Sequence, residues 1–482
     1  MPPNANKYRC TVPVGPTGRL PCRCFGILCS VLLTSACTRV GPSTEDGQAA
    51  EFRAPKVILI IGDGMDDQQI TIARNYLVGN AGRLTLDSMP FRAAVQTQTV
   101  DEDDPSIPVY VPDSANTATS IATGAITSAG RISTTAKTDL DLETIVELAR
   151  DAGYGTGIVS TASLTDATPA SFATHINMRF CEGPSNMTGE ILGRAVDCSQ
   201  NYKSNGGKGS ISEQLADSRI DVLLGGGLRY FEQPSEGDAE TTVLAEAREN
   251  GYQVVLDRNG LTTIEPGRRV LGLFSPNTMP VRLRGTGDAK AELIERIDGK
   301  VVLPEPFVCE PNPQFDGMPA LTEMTRAALG QLDETKSFFL VIESASIDKQ
   351  SHLRRPCGHI GELAQLDEAL AAVLDYAESH PETLVLVTAD HSHAAQLVAD
   401  RGEFLALNFA SPGHFALIRT PEGGTMGINY ATNDSPIQEY HTGAEIPLFA
   451  SGPGIGTLPS FMRQAEIFGI MARHLGLAAH QD

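Results

Sequence analysis

The sequence predicts a layered α/β fold, and three observations carry that expectation. Apolar runs at residues 56–61, 338–342 and 384–387 show no polar alternation, as expected of strands covered on both faces. Each run stops within a few residues at an acid, Asp63, Glu343 or Asp390. Strand, loop and helix patterns alternate along the chain, and 482 residues at 41% hydrophobic suffice for one large domain or two ordinary ones. The formal charge of −22 excludes affinity for nucleic acid backbone or an anionic membrane surface. An anionic small molecule remains reachable through local cations or metals.

The chain opens with Lys7, Arg9, Arg19 and Arg23, then an apolar stretch at 25–33 and the small residues Thr34, Ser35 and Ala36 before Cys37. Residues 1–37 read as an export signal, or as a lipoprotein signal with Cys37 acylated, which would attach the protein to a membrane by lipid. The stretch is too short to span a bilayer. Residues 38–54 are polar, with Gly, Pro and Ser, and read as a tether or N-terminal arm. Four of the nine cysteines lie in the body; Cys181–Cys198 with Cys309–Cys357 is the simplest of three possible pairings and would place the protein in an oxidising compartment. Four free thiols are the alternative.

The first buried strand ends at Gly62-Asp63-Gly64, the edge where open α/β sheets build sites. Weak alternation marks residues 84–100, and 101–105 form an acidic loop. Next, Pro112-Asp113-Ser114-Ala115 places a serine at a helix start, beside backbone N–H groups able to hold an anion. A plain helix cap explains the same residues. Residues 142–149 have helical spacing, and a strand at 155–160 leads to Asp166 and Thr168, oxygen donors suited to a hard cation. A following helix is expected to contain His175 and Arg179, the latter a planar fork of donors for phosphate.

Residues 220–224 give another strand, and 228–320 alternate short strands with charged helices. Beyond Glu343, Asp348 and His352 stand four apart and face one way on a helical turn, while Asp390-His391 offers zinc-type ligands. Residues 404–409 and 414–418 suggest a hairpin, His441 sits on a loop before the final strand, and 461–475 read as a helix. His359, His380, His393 and His414 read as surface or supporting residues. Acids at three neighbouring strand ends would repel one another unless a cation neutralised them.

In their order, the motifs at Gly62-Asp63-Gly64-Met65, Pro112 to Ala115, Asp166 to Pro169, Glu343 to His352, Thr388 to His391 and His441 to Gly443 resemble the bacterial alkaline phosphatases from about Pro55 to the last helix. The resemblance implies a three-layer α/β/α domain at 55–482 with a large, mostly parallel central sheet and a loop-rich, crown-like insertion at about 399–440. It implies hydrolysis of phosphate monoesters, with broad specificity, through a phosphoserine at Ser114. It also implies two zinc ions and one magnesium ion: Asp348, His352 and His441 at the first zinc, Asp63, Asp390 and His391 at the second, and Asp63 shared with a magnesium held by Asp166, Thr168 and Glu343. Arg179 would clamp two phosphate oxygens and Lys349 would reach phosphate through water. The family's cysteine pairing agrees with the simplest one above, and its members imply a homodimer in the periplasm or at the cell surface. Asp66, where the family usually has glycine, and Ser351, where an acid is frequent, are departures.

A sulfatase would need a Cys/Ser-x-Pro-x-Arg motif, absent around Ser114. A phosphodiesterase is disfavoured by Arg179, a fork of donors that wants two free phosphoryl oxygens. A non-catalytic metal- or phosphate-binding lipoprotein would leave Ser114 idle.

Overall fold

A computed structural model describes residues 54–477 apart from positions 192, 299, 334, 336, 402–412 and 434. The signal at 1–37, with Cys37, and residues 38–53 lie outside the described residues. The main sheet has ten strands, in the spatial order Gln253–Val255, Val270–Leu273, Val222–Gly226, Gly155–Ser163, Phe338–Ser344, Lys56–Gly62, Thr383–Ala389, Ile446–Ser451, Phe91–Gln96 and Phe461–Arg463. Only Ile446–Ser451 runs against its neighbours in this sheet; every other pairing is parallel.

The central strands are buried along their whole length, as their unbroken apolar runs require. Helices Asp67–Leu77, Leu321–Leu332 and Pro356–Ser379 group together on the sheet, while Ser114–Thr123, Ile145–Asp151, Ala167–Ser171 and Glu466–Leu475 form a second group. The result is the three-layer α/β/α arrangement with a mostly parallel sheet. Cys181 pairs with Cys198 and Cys309 with Cys357, the simplest pairing of the body cysteines. Among the described residues no helix is long and apolar enough to cross a membrane.

Register does the work of gathering the acids. Gly62 lies opposite Ser344 on one side and Ala389 on the other. Asp63 and Asp390, each one residue further on, therefore leave the sheet side by side, with Glu343 one residue before its strand's end.

Three expectations change. The helix after Asp166 spans only Ala167–Ser171, so His175 and Arg179 lie beyond it in an irregular segment. Burial of that segment against Ser133 and Gln214 replaces helical hydrogen bonds with side-chain ones. Residues 461–475 split into the edge strand Phe461–Arg463 and helix Glu466–Leu475, because the first three residues pair with Phe91–Gln96. In the 399–440 region, His414–Arg419 pairs with Thr425–Tyr430, which sequence reading gave to turns; residues 404–409 lie outside the described residues.

Candidate active site

Ser114 is the first residue of helix Ser114–Thr123 and only 3% exposed. Asp113 caps the helix in a reciprocal box with Asn116: its carboxylate accepts from Asn116 N at 3.2 Å and the Asn116 side chain accepts from Asp113 N at 2.9 Å. The cap reading therefore holds for Asp113 and Asn116, and Ser114 stands buried at the start of the capped helix. The other Asp113 oxygen accepts from Arg179 Nη1 at 3.1 Å, while Arg179 Nη2 donates to Asp166 at 3.0 Å. The guanidinium is therefore oriented by two acids, one of them joined to the serine's own helix. Lys349 Nζ donates to the second Asp166 oxygen at 2.5 Å.

Gly64 turns the first loop with φ 68, and a Cβ there would meet Asp348 Cα at 3.1 Å. This close approach brings Asp63 to the helix Ser346–His352, which carries Asp348 and His352 on one face. Asp390 Oδ1 accepts from Gly64 N at 2.9 Å and from His391 N at 2.8 Å, leaving Oδ2 turned inward. His391 Nε2 lies 3.4 Å from Asp63 Oδ1, 3.3 Å from Asp390 Oδ2 and 3.1 Å from Ser114 Oγ.

Hydrogen bonds on the far side of each ring set the tautomers. His352 Nδ1 faces the Glu439 carbonyl at 2.5 Å, and His441 Nδ1 faces the Pro112 carbonyl at 2.9 Å, so each Nδ1 carries the proton. Their Nε2 lone pairs then point at each other across 3.0 Å, each 3.3 Å from Asp348 Oδ1. His391 Nδ1 faces the Ser392 carbonyl at 3.2 Å, which likewise frees its Nε2. Asp63 Oδ1, Asp348 Oδ1 and Asp390 Oδ2 are buried without hydrogen-bond partners. Apart from the His393 ring facing Asp348, no donor stands among these converging lone pairs, an arrangement that fits a bound cation.

Electrostatics point the same way. Burial, then Asp390, Asp348 and Glu343, push Asp63 well above the usual carboxylate range. Burial lifts Asp390 to about 6 and Glu343 to about 8. Burial opposes the charge on Asp348 too, but His352 and the other imidazoles hold its carboxyl well below the ordinary value. Burial, then His441, holds His391 far below the usual imidazole value, so the ring is neutral and able to ligate. Asp166 stays ionised against burial because of Lys349 and Arg179.

Among the described residues two groups can hold a metal: Asp348, His352, His393 and His441, and Asp63, Asp348 and His391. Each contains residues expected from the sequence. Asp390 stands beside the second group through its contact with His391. The oxygen donors expected for magnesium are less tightly gathered: Glu343 accepts from the Ser160 hydroxyl, Asp166 is engaged by Lys349 and Arg179, and the Thr168 hydroxyl is buried without a well-formed hydrogen bond.

His393, expected as a surface or supporting residue, is buried in this site and takes the supporting place. It is fully buried, Ala394 N donates to its Nδ1 at 2.7 Å, and its protonated Nε2 faces Asp348 Oδ1 at 3.1 Å. An N–H aimed at Asp348 steadies that acid. The Asp-His-x-His spacing was the available signal. The buried pair Arg354–Glu439, at 3.0 Å, had none; it anchors the loop whose carbonyl orients His352.

A family model described as "Alkaline phosphatase" matches residues 54–410. Streptomycin-6-phosphate phosphatase of Streptomyces griseus is 41% identical over 478 residues, 95% of this chain and 99% of that protein. Alkaline phosphatase of Escherichia coli K12 is 39% identical over 432 residues, 88% of this chain and 86% of that one. The alkaline phosphatase structure from the Antarctic bacterium TAB5 shares the fold, with TM-score 0.63 and 23% identity over 88% of this chain and 99% of that chain.

Proposed function

The chain belongs to the alkaline phosphatase family, and from that premise we propose that it hydrolyses phosphate monoesters through a phosphoserine at Ser114, with two zinc ions and one magnesium ion. Asp348, His352 and His441 would hold the first zinc, Asp63, Asp390 and His391 the second, and Asp63, Asp166, Thr168 and Glu343 the magnesium. Bound there, the cations supply positive charge for the phosphoryl oxygens and lower the pKa of serine and water.

The chain's own groups do the rest. Arg179 presents two parallel donors to two non-bridging oxygens of the phosphoryl group, and Asp113 and Asp166 keep that fork aimed before substrate arrives. Ser114 Oγ attacks phosphorus in line; the bond to the alcohol oxygen breaks and the alcohol leaves. Water then cleaves the Ser114 ester and phosphate departs. Lys349 holds Asp166 charged and reaches the phosphate through water. The residues proposed for catalysis contact the phosphoryl group, which supports broad specificity; the streptomycin-6-phosphate of one relative's name is one such ester.

A metal-free Ser114–His391 pair is the second reading, favoured by their 3.1 Å separation. Two carboxylates crowd the same Nε2 and would compete for its proton, whereas no acid orients Nδ1. We further propose one catalytic domain at 55–482 with a crown-like insertion at 399–440, export to the periplasm or cell surface, lipid attachment at Cys37 and a homodimer. The observation that carries the function is the convergence of unprotonated imidazole and carboxylate atoms beside a buried serine at a helix start. The test is to measure zinc, magnesium and monoester turnover in the purified protein and in Ser114→Ala. Turnover should vanish in the variant with metal content kept. Equal turnover in both, with no metal bound, would sink the proposal.

A further inference from the structure

Asp66 lies just past the first metal loop and is 5% exposed. One of its oxygens caps helix Asp67–Leu77, accepting from Gln68 N at 2.7 Å and Gln69 N at 3.4 Å. The cap needs only that oxygen. The other accepts from Ser392 Oγ at 2.7 Å, and Ser392 Oγ in turn lies 2.5 Å from Thr442 Oγ1.

Proton bookkeeping fixes the direction of this chain. A hydroxyl has one proton, and Ser392 gives its proton to the carboxylate, so it must accept from Thr442. Thr442 N also donates to the Ser392 carbonyl at 3.1 Å. Ser392 and Thr442 are thus locked to each other by backbone and side chain, and to Asp66 by side chain alone. Ser392 sits between His391 and His393, and Thr442 directly follows His441.

We propose that Asp66 is a positioning residue for the metal centre: through Ser392 and Thr442 it sets the placement of His391 and His441, tying the 62–66 loop to the two histidine loops. This rests on His391 and His441 being metal ligands. Hydrogen-bonding partners of that kind typically govern metal affinity by about 10- to 100-fold. The side-chain link runs through one hydroxyl, with the His393 backbone N–H also facing the Asp66 carboxylate, so Asp66 and Ser392 act as a unit.

Asp66→Ser separates the two roles of the residue, because serine caps a helix as well as aspartate does but has no second oxygen for Ser392. The experiment measures zinc release to a chelator, the absorption spectrum of the cobalt-substituted protein and the melting temperature, for wild type, Asp66→Ser, Ser392→Ala and the double variant. Each single variant should release zinc about 10- to 100-fold faster with an altered cobalt spectrum, and the double variant should release it no faster than the worse single. Wild-type release rates and an unchanged spectrum in both singles would overturn the proposal while leaving the metal site standing. So would effects that multiply in the double variant. If Asp66→Ser does not fold, Asp66→Asn, which also caps a helix but turns no carboxylate oxygen to Ser392, takes its place in the same comparison. A wild-type protein without zinc would overturn the metal site and this role together.

Discussion

Arg179 illustrates how much one side chain's setting decides. Its fork is fixed between Asp113 and Asp166, at 3.1 and 3.0 Å, before any ligand arrives. Two parallel donors suit a phosphoryl group with two free non-bridging oxygens and a dianionic charge; a diester carries less charge and a second bulky substituent. Arg179→Ala should lower kcat/KM for a chromogenic monoester on the order of 100-fold. The same change should cost much less for the matching diester. Equal losses for the two substrates would mean that the guanidinium does not read the difference. His393 makes a second point at this scale. Its proton is committed to facing Asp348, so His393→Ala should weaken zinc retention without removing a ligand, seen as a zinc content between those of wild type and His352→Ala.

Among elements, the irregular segment 172–179 carries the arginine and is held from outside the site. His175 is buried, with Nδ1 on the Ser133 carbonyl at 2.9 Å and Nε2 on Glu147 at 3.0 Å, and Glu147 also completes the capping box of helix Ile145–Asp151. Burial opposes charge on both groups, yet Glu147 raises the His175 pKa above 6.5 and His175 helps draw Glu147 down to about 2. The signs differ. The histidine's share of stability is complete below its unfolded value of 6.5 and is lost as pH rises through its folded pKa. The glutamate's share is complete above 4.5 and is lost as pH falls toward about 2. The melting advantage of wild type over His175→Gln should therefore shrink from pH 6.5 upward. An advantage that grew with pH would refute the linkage.

The second disulfide ties strand Cys309–Pro311 to helix Pro356–Ser379 across 48 residues of sequence. Loop-closure entropy assigns such a link about 4 kcal/mol, against about 3 for the shorter Cys181–Cys198 loop. Cys309→Ser with Cys357→Ser should thus lower the melting temperature more than the Cys181 and Cys198 pair of substitutions; the reverse order would show that strain or residual structure outweighs chain entropy.

Strands were legible because burial on both faces leaves a run such as residues 56–61 no polar position. Helices over 172–179 and 461–465 were misread because local spacing is silent about distant partners: Gln214 takes up the backbone of His175, and the edge of Phe91–Gln96 takes up Phe461–Arg463. For the site, acids at strand ends carried a signal of position. His393 carried only its spacing, not which ring nitrogen faces Asp348, and Arg354 and Glu439 carried none, since their meaning lies in the loop carbonyl they hold in place.

For the whole molecule, charge sets a further expectation. A formal charge of −22 surrounds a site that holds the cations Arg179 and Lys349. Repulsion of a dianionic ester by the outer field weakens once the screening length falls to about 10 Å near 0.1 M salt. Raising ionic strength from low values should therefore raise kcat/KM for such an ester, by less than about tenfold. A steady fall would mean that the local cations dominate approach.

The in-register strand ends also impose an order in time. Asp63 leaves the first strand of the sheet, while His441 precedes one of the last to be made, Ile446–Ser451. Donors drawn from both ends of the chain do not exist as a set on a nascent polypeptide. Occupancy of this centre is consequently a record of finished folding, and a metal-loaded fraction measures maturation of the chain as directly as it measures supply of the ion.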